Sequence, residues 1–269
     1  MKIYWATPGI DDWPLERWHE VLKNLSACGF AGIEPMIAGQ YKLDAARIKE
    51  LLLEHNQKMF GVRTGGIALK HHVFFNDKDD TRKKEAIDRF IDMIHYLAQF
   101  GTPRLLVGLI QGNLIEGQDR NEAFANIKIA LLECARIAAS HNMEIDLEAV
   151  NRFEVNHHNT ASQARDFIAD IGAGNIRLLV DTFHMNIEED QIDASMRGIK
   201  PILGHVHLAD SNRKVPGKGH FDFAGFFGTL NEIGYDGSLT IEAQTDSTRE
   251  EIEHTMKFLR KIPYFEVEG

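Results

Sequence analysis

Short apolar runs alternate with longer amphipathic stretches from one end of the chain to the other. The runs at residues 3–7, 32–34, 59–63, 104–109, 144–149, 176–181, 202–208 and 238–243 predict eight strands. Most are continuously apolar rather than alternating, the pattern of a parallel sheet covered on both faces. Between them, apolar residues recur at three- and four-residue spacing over 15–28, 45–55, 81–100, 121–141 and 161–171, which predicts helices. Asp44, Thr160 and Asp222 stand where helix N-caps belong. A further helix is expected over 186–199, with Ile187-Glu188-Glu189-Asp190 as an acidic first turn.

Eight strand–helix pairs in 269 residues match the count, and the roughly 250-residue size, of an α/β protein with the (β/α)8 TIM-barrel fold. No Pro/Ser-rich linker or charge block divides the chain, so residues 1–269 are expected to form one barrel domain. A doubly wound sheet is the competing architecture. Gly29-Phe30-Ala31-Gly32-Ile33-Glu34 is echoed by Gly234-Tyr235-Asp236-Gly237 with Ile241-Glu242 shortly after, as a repeated unit would produce.

Composition removes several function classes. With 30 Lys+Arg against 40 Asp+Glu the net charge is −10, the wrong sign for a protein that grips nucleic acid. No apolar run approaches the ~20 residues needed to span a bilayer, and residues 1–14 lack the basic-then-apolar order of an export signal. The two cysteines, Cys28 and Cys134, sit in helical stretches without metal or redox spacing. They read as reduced core residues of a cytoplasmic protein with no membrane partner.

In a TIM barrel the active site is assembled where the strands end. The last four predicted strands end in Leu147-Glu148-Ala149, Val180-Asp181-Thr182, Val206-His207-Leu208 and Ile241-Glu242-Ala243. One carboxylate at a strand end is ordinarily a loop anchor or a cap. Three carboxylates and an imidazole converging on one mouth would repel without a cation, and make a cage for a divalent metal ion. His205, two residues before His207, faces the same interior and reads as a hydrogen-bonded support. His184 follows Asp181 by three residues and can reach a molecule bound there. Arg213 is the cation best placed to meet substrate oxygens, with a surface arginine as the competing reading. Pro216-Gly217-Lys218-Gly219-His220 reads as a mobile flap or a long turn. Trp13 is a candidate for stacking on a substrate, whereas His71-His72 and His157-His158 read as loop residues. Gly65-Gly66 lacks the context of a dinucleotide site.

The stretches Leu147-Glu148-Ala149-Val150-Asn151-Arg152-Phe153-Glu154, Asp181-Thr182-Phe183-His184-Met185-Asn186-Ile187-Glu188-Glu189 and His205-Val206-His207, on through Asp210-Ser211-Asn212-Arg213 to Pro216-Gly217-Lys218-Gly219-His220, resemble the ketose 3-epimerase family of the xylose-isomerase-like barrels. The resemblance implies that Glu148, Asp181, His207 and Glu242 hold one divalent ion, Mn2+ first, with Co2+ or Mg2+ as alternatives. It implies that Glu148 and Glu242 are the two acid/base groups, and that Glu154, His184 and Arg213 hold the C1–C2 end of a ketose. It also implies a homo-oligomer, a dimer or tetramer. The first half departs from the family at Gly108-Leu109-Ile110-Gln111-Gly112-Asn113, where the family tends to place an aromatic residue against the sugar, and over residues 71–80. The chemistry suits the quartet. Inverting C3 of a ketose needs a stabilised enediolate and one base on each face. The rivals are an isomerase or dehydratase of the same superfamily acting on a polyol, inosose or hydroxypyruvate-like substrate, an endonuclease IV-type repair enzyme with three metals, and a non-catalytic sugar-binding protein.

Overall fold

The computed structural model describes residues 1–10, 13–38, 44–101 and 104–267. Nine strands form one parallel sheet: β1 (Lys2–Thr7), β2 (Gly32–Pro35), β3 (Lys58–Met59), β4 (Gly61–Arg63), β5 (Arg104–Val107), β6 (Ile145–Glu148), β7 (Ile176–Asp181), β8 (Leu203–Leu208) and β9 (Ser238–Ile241). Their order is β3-β2-β1-β9-β8-β7-β6-β5-β4. The single strand expected over 59–63 is two pieces. At Phe60 the pairing passes from one neighbour to the other: its N–H donates to Ile33 O (3.0 Å) and its carbonyl accepts from Arg104 N (2.9 Å). Met36 then bridges to Arg63, and the two ends of the sheet meet there as a barrel. The nine strands thus serve as eight staves, and a doubly wound sheet is excluded.

The helices are α1 (Leu15–Cys28), α2 (Ala45–Glu54), α3 (Gly65–His71), α4 (Asp80–Leu97), α5 (Arg120–Ser140), α6 (Ala161–Ile171), α7 (Thr182–Glu188), α8 (Ile192–Ile199), α9 (Phe223–Glu232) and α10 (Arg249–Leu259). Their buried stripes, such as Trp18, Val21, Leu22 and Leu25 on α1, pack on the outer face of the sheet. Each such fully buried side chain contributes roughly 1.5–3 kcal/mol. Among the described residues, no helix is long and apolar enough to cross a membrane. The three expected caps are formed. Asp44 accepts from Ala46 N, Asp222 accepts from Gly225 N, and Thr160 closes a capping box with Gln163.

The helix expected over 186–199 is instead α7 and α8. The Asp181 carboxylate accepts from Phe183 N (2.6 Å) and His184 N (3.3 Å), so α7 starts directly at the end of β7. Glu189 is extended and ends it. The acidic run therefore closes one helix rather than opening another. Glu188 pairs with Arg152 (2.8 Å) and Glu189 accepts from Ala161 N (2.7 Å), tying α7 to its neighbours. His71 lies at the end of α3 and His72 caps it in the left-handed region. Lower in the barrel, Arg104 is clamped by Asp146 and Glu144, and Cys28 and Cys134 are free thiols.

Candidate active site

Glu148, Asp181 and His207 come from β6, β7 and β8, and Glu242 continues β9, its N–H donating to Leu208 O (3.1 Å). One ligand atom from each of the four lies within 4.8 Å of the others. His207 Nδ1 is the centre of the group, 2.9 Å from Glu242 Oε2, 3.9 Å from Glu148 Oε1 and 4.0 Å from Asp181 Oδ2. Glu148 Oε1 and Asp181 Oδ2 are buried without a hydrogen-bond partner. Two orphaned carboxylate oxygens facing one imidazole nitrogen are costly unless a cation joins them, so the donor set fits a divalent ion with mixed O and N ligands. Gly108 lets the cluster close, because a Cβ there would stand 2.7 Å from Glu148 Oε2.

The carboxylates differ in proton affinity. Burial, and then the Glu242 charge, push Glu148 well above the usual range. Burial also opposes ionisation of Glu242, but His207 and Arg63 overcome it and hold that carboxyl well below the usual range. Arg63 Nη1 lies 2.6 Å from Glu242 Oε1. His207 is raised well above its ordinary value: burial works against the charge, yet Glu34 and Glu242 on its two sides outweigh it.

Glu34 and Arg63 are parts of the site that the sequence reading missed. Glu34 lies in β2, one residue before its end, is wholly buried, and accepts from Thr240 Oγ1 (2.8 Å) and His205 Nε2 (3.1 Å). Its Oε1 is 2.9 Å from His207 Nε2, so the carboxylate and the imidazole form a buried ion pair. A carboxylate behind a candidate ligand imidazole fixes which ring nitrogen faces the mouth. The signal was present in the echo between Ile33-Glu34 and Ile241-Glu242. A single carboxylate near the end of one early strand carries no such signal by itself, and only the barrel's closure brings β2 to within one strand of β9. His205 is buried between Glu34 and Thr240, in the supporting position expected of it.

Beside the quartet, the Asn151 amide donates to His184 Nδ1 (2.6 Å) and to Glu154 Oε1 (2.9 Å). His184 Nε2 then faces Glu148 Oε1 at 3.5 Å. Arg213 is ion-paired to Glu154, and its guanidinium lies 5.0 Å over the Phe183 ring. Arg213 has a positive φ of 59°, a conformation that the surrounding contacts must hold. Glu148, Glu154, His184, Arg213 and Glu242 all line one cavity of about 230 Å3. Trp13 does not. It packs edge-on against Trp18, with Arg17 over its face.

The segment 216–220 is tied down rather than loose. Asp210, buried in the loop two residues past β8, accepts from Ser211 N (2.8 Å), Gly217 N (2.8 Å) and Phe221 N (3.0 Å). Gly219 is required for this, since a Cβ would fall 2.3 Å from Asp210 Oδ1. Of the remaining histidines, His157 Nε2 meets Gly112 O (2.8 Å) and His71 Nε2 meets Ala38 O (3.0 Å), both structural contacts.

The family model for the xylose isomerase-like TIM barrel matches residues 22–262. The chain is 32% identical over 235 residues to an L-ribulose 3-epimerase of Methylomonas sp., a match covering 86% of this chain and 80% of that one. It is 41% identical over 110 residues to a D-psicose 3-epimerase of Ruminiclostridium cellulolyticum, covering 41% of this chain and 38% of the relative. Among solved structures, a D-allulose 3-epimerase from Methylomonas sp. in complex with D-allulose superposes with a TM-score of 0.84 at 25% identity, covering 97% of this chain and 96% of that one. By family match, sequence identity and fold together, the chain belongs to the xylose isomerase-like TIM barrel family and, within it, to the ketose 3-epimerases, a group of carbohydrate isomerases.

Proposed function

We propose that the protein is a divalent-metal-dependent epimerase that inverts C3 of a ketose, with Glu148 and Glu242 as the two acid/base groups. The observation that carries this is the convergence of Glu148 and Glu242, from separate strands, on the same imidazole, with orphaned oxygens between them. Glu148, Asp181, His207 Nδ1 and Glu242 would hold a divalent ion, Mn2+ as first choice and Co2+ or Mg2+ as alternatives, which would supply Lewis-acid stabilisation of the developing enediolate. In the metal-free chain Glu148 favours its protonated form and Glu242 its ionised form, and metal binding must release the Glu148 proton. Coming from separate strands, the two carboxyls can serve opposite faces of C3, one taking the proton and the other returning one. His184, Glu154 and Arg213 form a linked set with Asn151 and hold the C1–C2 end of the sugar, where their donors meet its oxygens.

We further propose that residues 1–269 are one domain, supported by sheet neighbours that run unbroken around the barrel. The proposal of a cytoplasmic location draws on the two free thiols, and that of a dimer or tetramer on the family resemblance. The test of the reaction is incubation of metal-loaded protein with free ketoses in deuterated water, followed by removal of protein and metal and proton NMR. Deuterium at C3 with appearance of the C3 epimer is expected. Absence of C3 exchange from every ketose would overturn the reading.

A further inference from the structure

The cavity over Glu148 and Glu242, about 230 Å3, is small for a ligand site, which ordinarily measures about 300–1,000 Å3. A second cavity of about 490 Å3 adjoins it, and Leu69, Leu109 and Glu154 belong to the walls of both. Phe74 and Asn76 on one side, and Ile115 and Gln118 on the other, complete the second cavity. These walls come mainly from residues 68–82 and 109–118, around the two segments where the sequence departs from its family.

The chemistry of the walls restricts what fits. Leu69 and Ile115 are 56% and 57% exposed, large apolar side chains left open to solvent at this cavity. Each wall amide places one of its two N–H donors on a main-chain carbonyl. Asn76 Nδ2 donates to Asn113 O (2.9 Å), Gln118 Nε2 to Asn76 O (2.7 Å), and Asn113 Nδ2 to Glu154 O (3.0 Å). The Arg82 guanidinium is held by Asp77 (2.8 Å) and the His72 carbonyl. Lys78 and the His72 ring line the same cavity with no partner among the described residues, which makes a phosphate ester the rival occupant, while the rest of the wall is the apolar faces of Leu69, Phe74, Leu109 and Ile115. A second sugar ring presents an apolar C–H face to such walls and keeps its hydroxyls toward solvent.

We propose that the substrate is a glycosylated ketose: its reacting end sits over Glu148 and Glu242, and its second ring lies against Leu69, Phe74, Leu109 and Ile115. This rests on the epimerase reading of the barrel mouth and names the substrate class for it.

The test compares D-fructose, D-fructose 6-phosphate and isomaltulose, a glucosyl group on O6 of a fructose whose C1–C3 end is free. Metal-loaded wild type and Ile115→Trp are used, since Ile115 lines only the second cavity. C3 exchange is followed in deuterated water, binding by calorimetry, and folding by thermal unfolding. In wild type, kcat/KM for isomaltulose is expected to exceed that for D-fructose by at least about tenfold. Ile115→Trp should remove that advantage and leave D-fructose unchanged, with an unaltered unfolding temperature. Equal efficiencies for D-fructose and isomaltulose, or a preference for the phosphate ester, would overturn the inference. The two layers separate cleanly. If D-fructose exchanges and isomaltulose neither binds nor reacts, the glycoside is wrong and the reaction stands. If no sugar exchanges at C3 but isomaltulose binds and Ile115→Trp abolishes binding, the glycoside stands and the reaction is wrong.

Discussion

Replacing Glu34 by Gln keeps the shape of the side chain and removes its charge from behind His207. The carboxyl is held at about 2 against an ordinary 4.5: burial opposes the charge, and His207 and His205 overcome that penalty. At about 1.36 kcal/mol per pH unit, that difference amounts to roughly 3 kcal/mol in favour of the charged form in the folded, metal-free chain. The figure agrees with the roughly 3–5 kcal/mol lost when one partner of a buried charge pair is removed. Because the folded value is depressed, this stability is fully present above pH 4.5 and is lost as the pH falls toward 2. Urea unfolding of both proteins in chelator at pH 7 should therefore show Glu34→Gln less stable by about 3 kcal/mol, with the gap narrowing in acid. The same variant should bind Mn2+ about 10–100-fold more weakly in competition with a chromophoric chelator, since the Glu34 carboxylate stands 2.9 Å from His207 Nε2, behind the nitrogen that faces the mouth. A variant matching wild type in both stability at pH 7 and Mn2+ affinity would refute the assignment of Glu34 as the support of His207.

Asp181→Ala should lose bound divalent metal by elemental analysis while its circular dichroism stays that of a folded barrel, because the strand cores do not depend on the ion. Metal affinity in wild type should fall as the pH is lowered, since Glu148 and His207 are both raised and must release protons before they can ligate. Calorimetry in buffers of different ionisation enthalpy reads that release directly. Asp210→Ala should destabilise the chain by about 3 kcal/mol, from the loss of charge-assisted bonds to the 211–221 loop. Burial alone would raise Asp210, but the N–H groups of Phe221, Gly219, Ser211 and Gly217 lower it. Its contribution is thus present above pH 3.8 and declines below that, as acid unfolding curves of wild type and variant should show. Arg213→Ala should keep its metal and lose turnover or raise KM for ketoses. Equal parameters in steady-state assays would return Arg213 to a structural ion pair with Glu154.

The barrel was legible because its signals are local and repeated. An apolar run followed by a helical period recurs around the chain, and caps such as Thr160 are set by residues three apart. Phe60 shows the limit: the run through it is uniformly strand-like, and only the closure of the barrel obliges its N–H and carbonyl to serve different neighbours. The acidic run 187–190 misled for a similar reason. The cap of α7 is Asp181, a strand-end residue also aimed at the mouth, so the helix begins earlier than its charge pattern suggests. The quartet could be found because each member ends an apolar run. Arg63 ends one too, but an arginine there reads as the polar edge of a strand until Glu242 is seen opposite it across 179 residues. The role of Asp210 is invisible in the sequence, since nothing there shows that one carboxylate gathers the N–H groups of a loop up to eleven residues on.

The central claim is that Glu148 and Glu242 serve opposite faces of one carbon. Glu148→Gln and Glu242→Gln each keep an oxygen for the metal and remove a base, so both variants should be compared after their metal content has been shown to be full. Deuterium incorporation at C3 and formation of the epimeric ketose are then measured side by side. The account predicts that each variant fails to invert C3, while the one glutamate that remains still exchanges the C3 proton of a single epimer with solvent. Near-wild-type inversion by either metal-loaded variant would contradict it, and would leave the altered glutamate as no more than a ligand.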